Sequence, residues 1–259
     1  MNRGGAAGPD AASLSATLAA SDGLTERLTA LLRATQTTPV LTTSFGLEDQ
    51  VLTHAAVAAS AATGRGIRFV TLDTGRLFPE THDVWAATER KYAIRVTCVA
   101  PEAAALAGLV AEQGIDGFRD SVQARRDCCA ARKVAPLRRA LAGAEVWITG
   151  LRADQSANRD GTEFAGWDDA FGLLKVNPLA DWTRDGALAY ALANLVPLNA
   201  LHARGFLSIG CAPCTRAVAP GEPERAGRWW WEDEARKECG LHRRPEPGPA
   251  HNNPSEMAR

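Results

Sequence analysis

The sequence predicts an α/β fold, with a mostly parallel central sheet flanked by helices. Three observations predict it. β-rich runs alternate with helical ones through the first 150 residues. Gly-containing turns follow the first two strands, where open parallel sheets place their ligands. Of the 259 residues, 46% are hydrophobic, enough for a sizeable core in one large domain or two small ones.

Each element is readable in order. Residues 1–22 are rich in Ala, Gly and Ser and read as a mobile or weakly helical N-terminal arm. PVLTTSF (39–45) is the first strand, and GLEDQVLTHAAVAAS opens the helix after it. IRFVTLD (67–73) is the second strand, with a helix near 79–92. IRVTCVA (94–100) is the third, with a helix near 102–112. A helix near 127–142 precedes the fourth strand, EVWITG (145–150). The pattern then changes. LRADQSANRDGTEF is a polar loop, GLLKVNPLADW is extended and RDGALAYALANLV is helical. The Pro-rich polar stretch 243–259 reads as a disordered tail.

Composition limits the function. Net charge is −1, so no global basic field points to nucleic acid, and any anion site must be built from local clusters. No apolar run approaches the roughly 20 residues that span a bilayer. The first residues lack the pattern of a secretory signal, so a cytoplasmic protein is expected.

Two motifs carry chemistry. In TTSFGLEDQVL, Ser44 and Gly46 stand at a strand end and a helix start, where free N–H groups favour an anion. Glu48 and Asp49 would repel a phosphate unless they point away or cap the helix, so an ordinary capped helix start is the competing reading. The turn in LDTGRLFPET, after Leu72, makes a shared crevice more plausible. The second motif is a set of thiols. Cys128 and Cys129 are adjacent, and Cys211 and Cys214 form CAPC. Four thiolates suit Zn²⁺ or an iron–sulfur cluster. Neighbouring helical side chains diverge by ~100°, which serves one tetrahedral ion poorly and separate iron corners well. Buried packing beside a lone redox pair is the alternative. Cys98 reads as a small packed hydrophobe. Cys239, in KECGLH beside Lys237, is a candidate nucleophile. Arg225 and Arg228 share a face if their segment is helical.

CCAARKVAPLRRAL together with GCAPCTRAVAPGEPERAGRWWWEDEARKECGLH resembles the assimilatory, thioredoxin-dependent adenylyl-sulfate (APS) reductases of the APS/PAPS reductase family. SFGLEDQVL, LDTGRLFPET, ITGLRADQS and KVNPLADWT are similar in the same order, so the resemblance spans roughly 38–242. It implies an adenine-nucleotide alpha-hydrolase-like fold, a reductase domain at 23–242 and a mobile catalytic segment at about 215–242. It implies a [4Fe–4S] cluster on Cys128, Cys129, Cys211 and Cys214, with Cys239 as nucleophile and Lys133 between cluster and substrate. Arg225, Arg228 and His242 match positions that bind the sulfate and phosphate end. His242 counts among the catalytic residues as well. Ser44, Gly46, Glu48 and Asp49 lie in the matching phosphate loop, Arg159 matches a further anion-binding arginine, and the resemblance implies an adenine near the strand ends following Phe45 and Leu72. Ala153 and Leu198 depart from the family pattern. The implied reaction converts APS to sulfite and AMP in sulfate assimilation and cysteine biosynthesis. Thioredoxin or glutaredoxin is the donor, and a homo-oligomer is expected. A reductase of 3′-phospho-APS and a zinc-stabilised nucleotide-binding module are the alternatives.

Overall fold

The computed structural model describes residues 10–156, 159–233 and 241. Its centre is a six-stranded sheet in the order β3-β2-β1-β4-β6-β5. The strands are β1 (Val40–Thr43), β2 (Arg68–Leu72), β3 (Val96–Val99), β4 (Val146–Ile148), β5 (Ala165–Asp168) and β6 (Leu173–Val176). All neighbours pair in parallel except β5, which closes one edge antiparallel to β6.

Period-two alternation builds the two layers. On β1, Leu41 joins one buried cluster and Val40 the other; on β4, Val146 and Ile148 face one way and Trp147 the other. The first face packs against α1 (Ala11–Ala19), α2 (Leu24–Ala34), α3 (Leu47–Thr63) and α8 (Arg184–Ala193). The second packs against Leu137, Ala140 and Leu141 of α7 (Ala135–Leu141). Two further helices, α4 (Pro79–Tyr92) and α5 (Ala103–Gln113), follow β2 and β3.

The strands and the helix at 79–92 lie where the sequence places them. Three readings change. Residues 11–19 of the expected arm form a helix, because Asp10 caps it through Ser13 N–H and Leu14 and Leu18 bury against the core. Cys98 is exposed rather than packed, because β3 is an edge strand. The helix expected near 127–142 is longer and composite: α6 (Val122–Cys129), a π-helical turn (Ala130–Val134), then α7. Pro136 explains the turn. It has no N–H for the carbonyl four residues back, and its ring crowds that carbonyl. The tail at 243–259 lies outside the described residues.

The chain runs β1 to β3 in one direction, then crosses to put β4 on the other side of β1. Strand order therefore reverses between β1 and β4. The crevice at the C-terminal strand ends there is where open α/β sheets bind ligands.

Candidate active site

A cavity of about 200 Å³ opens at that crevice. Its floor is the strand ends: Thr42 and Thr43 of β1, Thr71 and Leu72 of β2, and Thr149 and Gly150 after β4. Its sides bring together Ser44, Gly46, Glu48, Asp49, Lys133, Arg159, Arg225 and Arg228. With Leu72 on the floor, these are the catalytic and substrate-binding positions read from the sequence within the described residues. Cys239 and His242 lie outside the described residues, but Leu241, between them in the chain, lines the cavity.

The first loop resolves the question of its own carboxylates. Asp49 turns back on the loop and accepts from Ser44 N–H at 2.6 Å and from Ser44 Oγ at 2.7 Å. Burial raises its pKa from 3.8 to about 6, against the pull of the Ser44 hydrogen bonds. Glu48 is taken by Arg152, whose Nε donates to Glu48 Oε1 at 2.8 Å. The chain gets between strand and helix through Phe45, a buried residue with φ of +58° that stacks on Trp85 at 5.5 Å. Left-handed backbone at a bulky residue is strained and persists because its surroundings hold it. Gly150 lets β4 approach: a Cβ there would stand 2.5 Å from Asp49 Oδ1 and 3.0 Å from Glu48 Cβ.

Sequence reasoning missed Arg152. Its side chain is fully buried, and it gathers Glu48, Asp154 and Glu224, the last at 2.8 Å from Nη2. Glu224 carries a raised pKa, first from burial and then from the Glu48 charge. The trio Glu48, Arg152 and Glu224 fastens the segment bearing Arg225 to the first loop. That segment is a series of turns, not a helix. Arg225 and Arg228 nevertheless both reach the cavity and are both buried, because Arg228 N–H bonds the Arg225 carbonyl at 2.9 Å and Arg228 bridges to Thr215. Arg228 also lies across Gly210, where any Cβ would strike its guanidinium.

A smaller hollow adjoins the cavity, lined by all four clustered thiols with Arg125, Arg132 and Trp229; Lys133, Cys211 and Trp229 line both spaces. Cys129, Cys211 and Cys214 are buried and Cys128 is half-buried, packed with Phe118 and Trp229. Of the three adjacent tryptophans, only Trp229 joins the thiols as a core member. It is held between the Arg125 and Arg228 guanidiniums, each 4.7 Å from its ring centre. A buried ion pair, Arg125 to Glu232 at 2.8 Å, locks α6 to this segment.

The thiols differ among themselves. Burial alone would raise Cys211, but Lys133, the Thr74 hydroxyl at 3.3 Å, Arg228 and Arg132 bring it below its ordinary value. Burial and the Cys211 charge push Cys214 up to about 12, and burial raises Cys128. No group of three or more His, Cys, Asp or Glu among the described residues is placed to hold one metal ion. The donor set still fits a larger anionic, sulfur-ligated group. Four thiols converge on one hollow, and the buried Trp229 Nε1 and Arg132 Nε beside them have no hydrogen-bond acceptor among the described residues.

Residues 38–217 match the family model described as "Phosphoadenosine phosphosulfate reductase domain". The chain is 52% identical over 213 residues to an adenosine 5′-phosphosulfate reductase of Sinorhizobium fredii, covering 82% of this chain and 83% of that one. It is 49% identical over 236 residues to one of Agrobacterium fabrum (91% and 88% covered). It is 51% identical over 205 residues to one of Allochromatium vinosum (79% and 78%). Among solved structures, a phosphoadenylyl-sulfate reductase from Candida auris in a phosphate complex superposes with a TM-score of 0.66 at 21% identity, covering 83% of this chain and 100% of that one. That likeness speaks for the fold alone.

Proposed function

The chain belongs to the phosphoadenosine phosphosulfate reductase family and is an oxidoreductase of sulfate assimilation that reduces adenosine 5′-phosphosulfate; on that premise we propose how its residues do so. The observation that carries the proposal is the shared wall: Lys133 and Cys211 line both the nucleotide crevice and the thiol hollow.

The adenine rests near Leu72, and the phosphate lies against the loop Ser44–Asp49. The loop's carboxylates are turned to Ser44 and Arg152, which leaves backbone N–H groups at the start of α3 for the phosphate. The sulfate faces Lys133, Arg225 and Arg228. The Cys239 thiolate attacks the sulfate sulfur. A sulfur–sulfur bond forms as the sulfur–oxygen bond to phosphate breaks, giving Cys239–S–SO₃⁻ and AMP. A thiolate of reduced thioredoxin, or of glutaredoxin, then attacks the Cys239 sulfur and expels sulfite. The donor's second thiol resolves the mixed disulfide and restores Cys239. The two electrons come from the donor dithiol. Nucleophile and target are both anionic, so fixed cations in a water-poor site lower the barrier as negative charge gathers. Lys133, Arg159, Arg225 and Arg228 fill that part, with His242 at the same end of the substrate.

Cys128, Cys129, Cys211 and Cys214 hold a [4Fe–4S] cluster in this reading. Bound there, it shapes the field at the substrate and ties α6 to the segment after residue 210. The reading includes a place in cysteine biosynthesis, a homo-oligomeric state and a cytoplasmic location; no helix of the described residues is long and apolar enough to cross a membrane.

The test is an intact mass. Anaerobically purified protein is mixed with APS in one tube and 3′-phospho-APS in another, without any thiol donor. Gain of one SO₃ group on Cys239, faster with APS, is the expected result. No adduct in either tube, from protein shown to contain iron and sulfide, overturns the mechanism. Colourless protein carrying stoichiometric zinc overturns the cluster.

A further inference from the structure

His202 lines the cavity, and neither the sequence motifs nor the mechanism above uses it. It sits in a short 3₁₀ turn, Ala200–Arg204, that is held rigidly. Asn199 Oδ1 accepts from Leu201 N–H at 3.0 Å, and Asn199 Nδ2 donates to Thr81 Oγ1 of α4 at 3.2 Å. The imidazole is fixed as well. Its Nδ1 lies 2.8 Å from the Phe206 carbonyl oxygen, and a carbonyl can only accept, so Nδ1 carries the proton. Nε2 of the neutral ring is then a lone pair. It is buried, and it has no hydrogen-bond partner among the described residues. Burial is also the main influence that lowers this ring's pKa and keeps it neutral, with the Arg184 charge acting the same way and Glu48 opposing.

A buried acceptor calls for a donor. This narrows what the ligand presents. The phosphate and sulfate oxygens of APS are acceptors and cannot bond a lone pair. Donors occur only on the nucleoside: the ribose hydroxyls and the adenine amino group. The amino group lies at the far end, on the Leu72 side in the reading above. The ribose is joined to the phosphate held by the first loop, and Glu48 of that loop is one of the charges His202 feels. We propose that His202 Nε2 accepts a hydrogen bond from a ribose hydroxyl and so fixes the sugar between the phosphate loop and the 3₁₀ turn. His202 is thus a substrate-binding residue, and the inference rests on the cavity being the adenine-nucleotide site.

AMP, 2′-deoxy-AMP and 3′-deoxy-AMP are titrated calorimetrically into the anaerobically purified full chain as wild type, His202→Phe and His202→Gln. Thermal melting is recorded for each. In wild type, one deoxy analogue binds about tenfold more weakly than AMP, the worth of one hydrogen bond. In His202→Phe, AMP itself weakens about tenfold and that analogue binds no worse than AMP. In His202→Gln, whose Oε1 occupies the place of Nε2, the preference returns in part. The proposal is overturned if both analogues match AMP in wild type, or if the preference is the same size in His202→Phe. Should His202→Phe fail to melt cooperatively, the wild-type and Gln titrations decide alone: without a preference in both, the proposal falls. Wild type that binds no AMP at all faults the nucleotide reading of the cavity instead.

Discussion

On the first-loop side of the cavity, guanidinium meets carboxylate: Arg152 is buried among Glu48, Asp154 and Glu224. On the thiol side, Arg132 Nη1 donates to the Thr74 carbonyl at 2.7 Å, and Arg228 Nη1 reaches Ser208 Oγ and the Ile209 carbonyl at 3.5 Å. These acceptors are neutral. Carboxylates cancel the Arg152 charge on one side; on the other, neutral oxygens hold Arg132 and Arg228 in place without cancelling their charge, while Arg125 beside them is paired with Glu232. The difference separates two uses of arginine. The first kind joins segments, and in the proposed mechanism the second offers its charge to the substrate.

The largest effect tests whether the charged side serves a nucleophile. Cys239→Ser leaves APS binding intact and abolishes both adduct and turnover, because a hydroxyl is a far weaker nucleophile. Retention of most of the activity, followed as sulfite release, would remove Cys239 from the reaction. Next, Lys133→Ala lowers kcat by about 10²–10³-fold, the usual loss of one group that stabilises transition-state charge. AMP affinity and melting temperature stay near wild type; a change in stability without a change in kcat would move Lys133 to the joining side. Arg152→Ala strips the cation from buried Glu48 and Glu224, and loss of about 3–5 kcal/mol is expected in urea denaturation. If Arg152→Ala melts like wild type, the contrast between the two sides collapses. The smallest effect concerns Asp49. Its folded pKa of about 6 lies above the ordinary 3.8, so the folded state holds its proton more tightly. That contribution is fully present below pH 3.8 and is lost as pH rises towards 6. Asp49→Asn therefore gains stability relative to wild type across that window. Parallel pH profiles of the two denaturation midpoints would show that Asp49 is ionised as in solution.

Local order was legible in the sequence, and long-range meeting was not. The parallel strands announced themselves as β-branched runs between helices. The thiols were legible because their pairing is local within each half. The helix α2 carried a readable signal, Leu24, Leu28, Leu31 and Leu32 on one face, that went unread. The strand β5 carried none: Ala-Gly-Trp-Asp has no alternation and exists because β6 is there to pair with. Arg152 meets Glu48 across 104 positions and Glu224 across 72, so spacing could not reveal the trio. His202 is one histidine in an Ala-rich stretch, and only the fold shows that Nδ1 is taken by the Phe206 carbonyl while Nε2 has no partner among the described residues.

The four-thiol hollow also has a history in time. Cys211 follows Cys129 by 82 positions. At about 5–20 residues per second, the ribosome takes roughly 4–16 s to add them. Throughout that interval the nascent chain carries two adjacent thiols whose counterparts have not been made. The same spacing that lets the finished hollow join distant segments leaves the half-made one open to oxidants, and it ties the completion of the site to the making of Cys211 and Cys214.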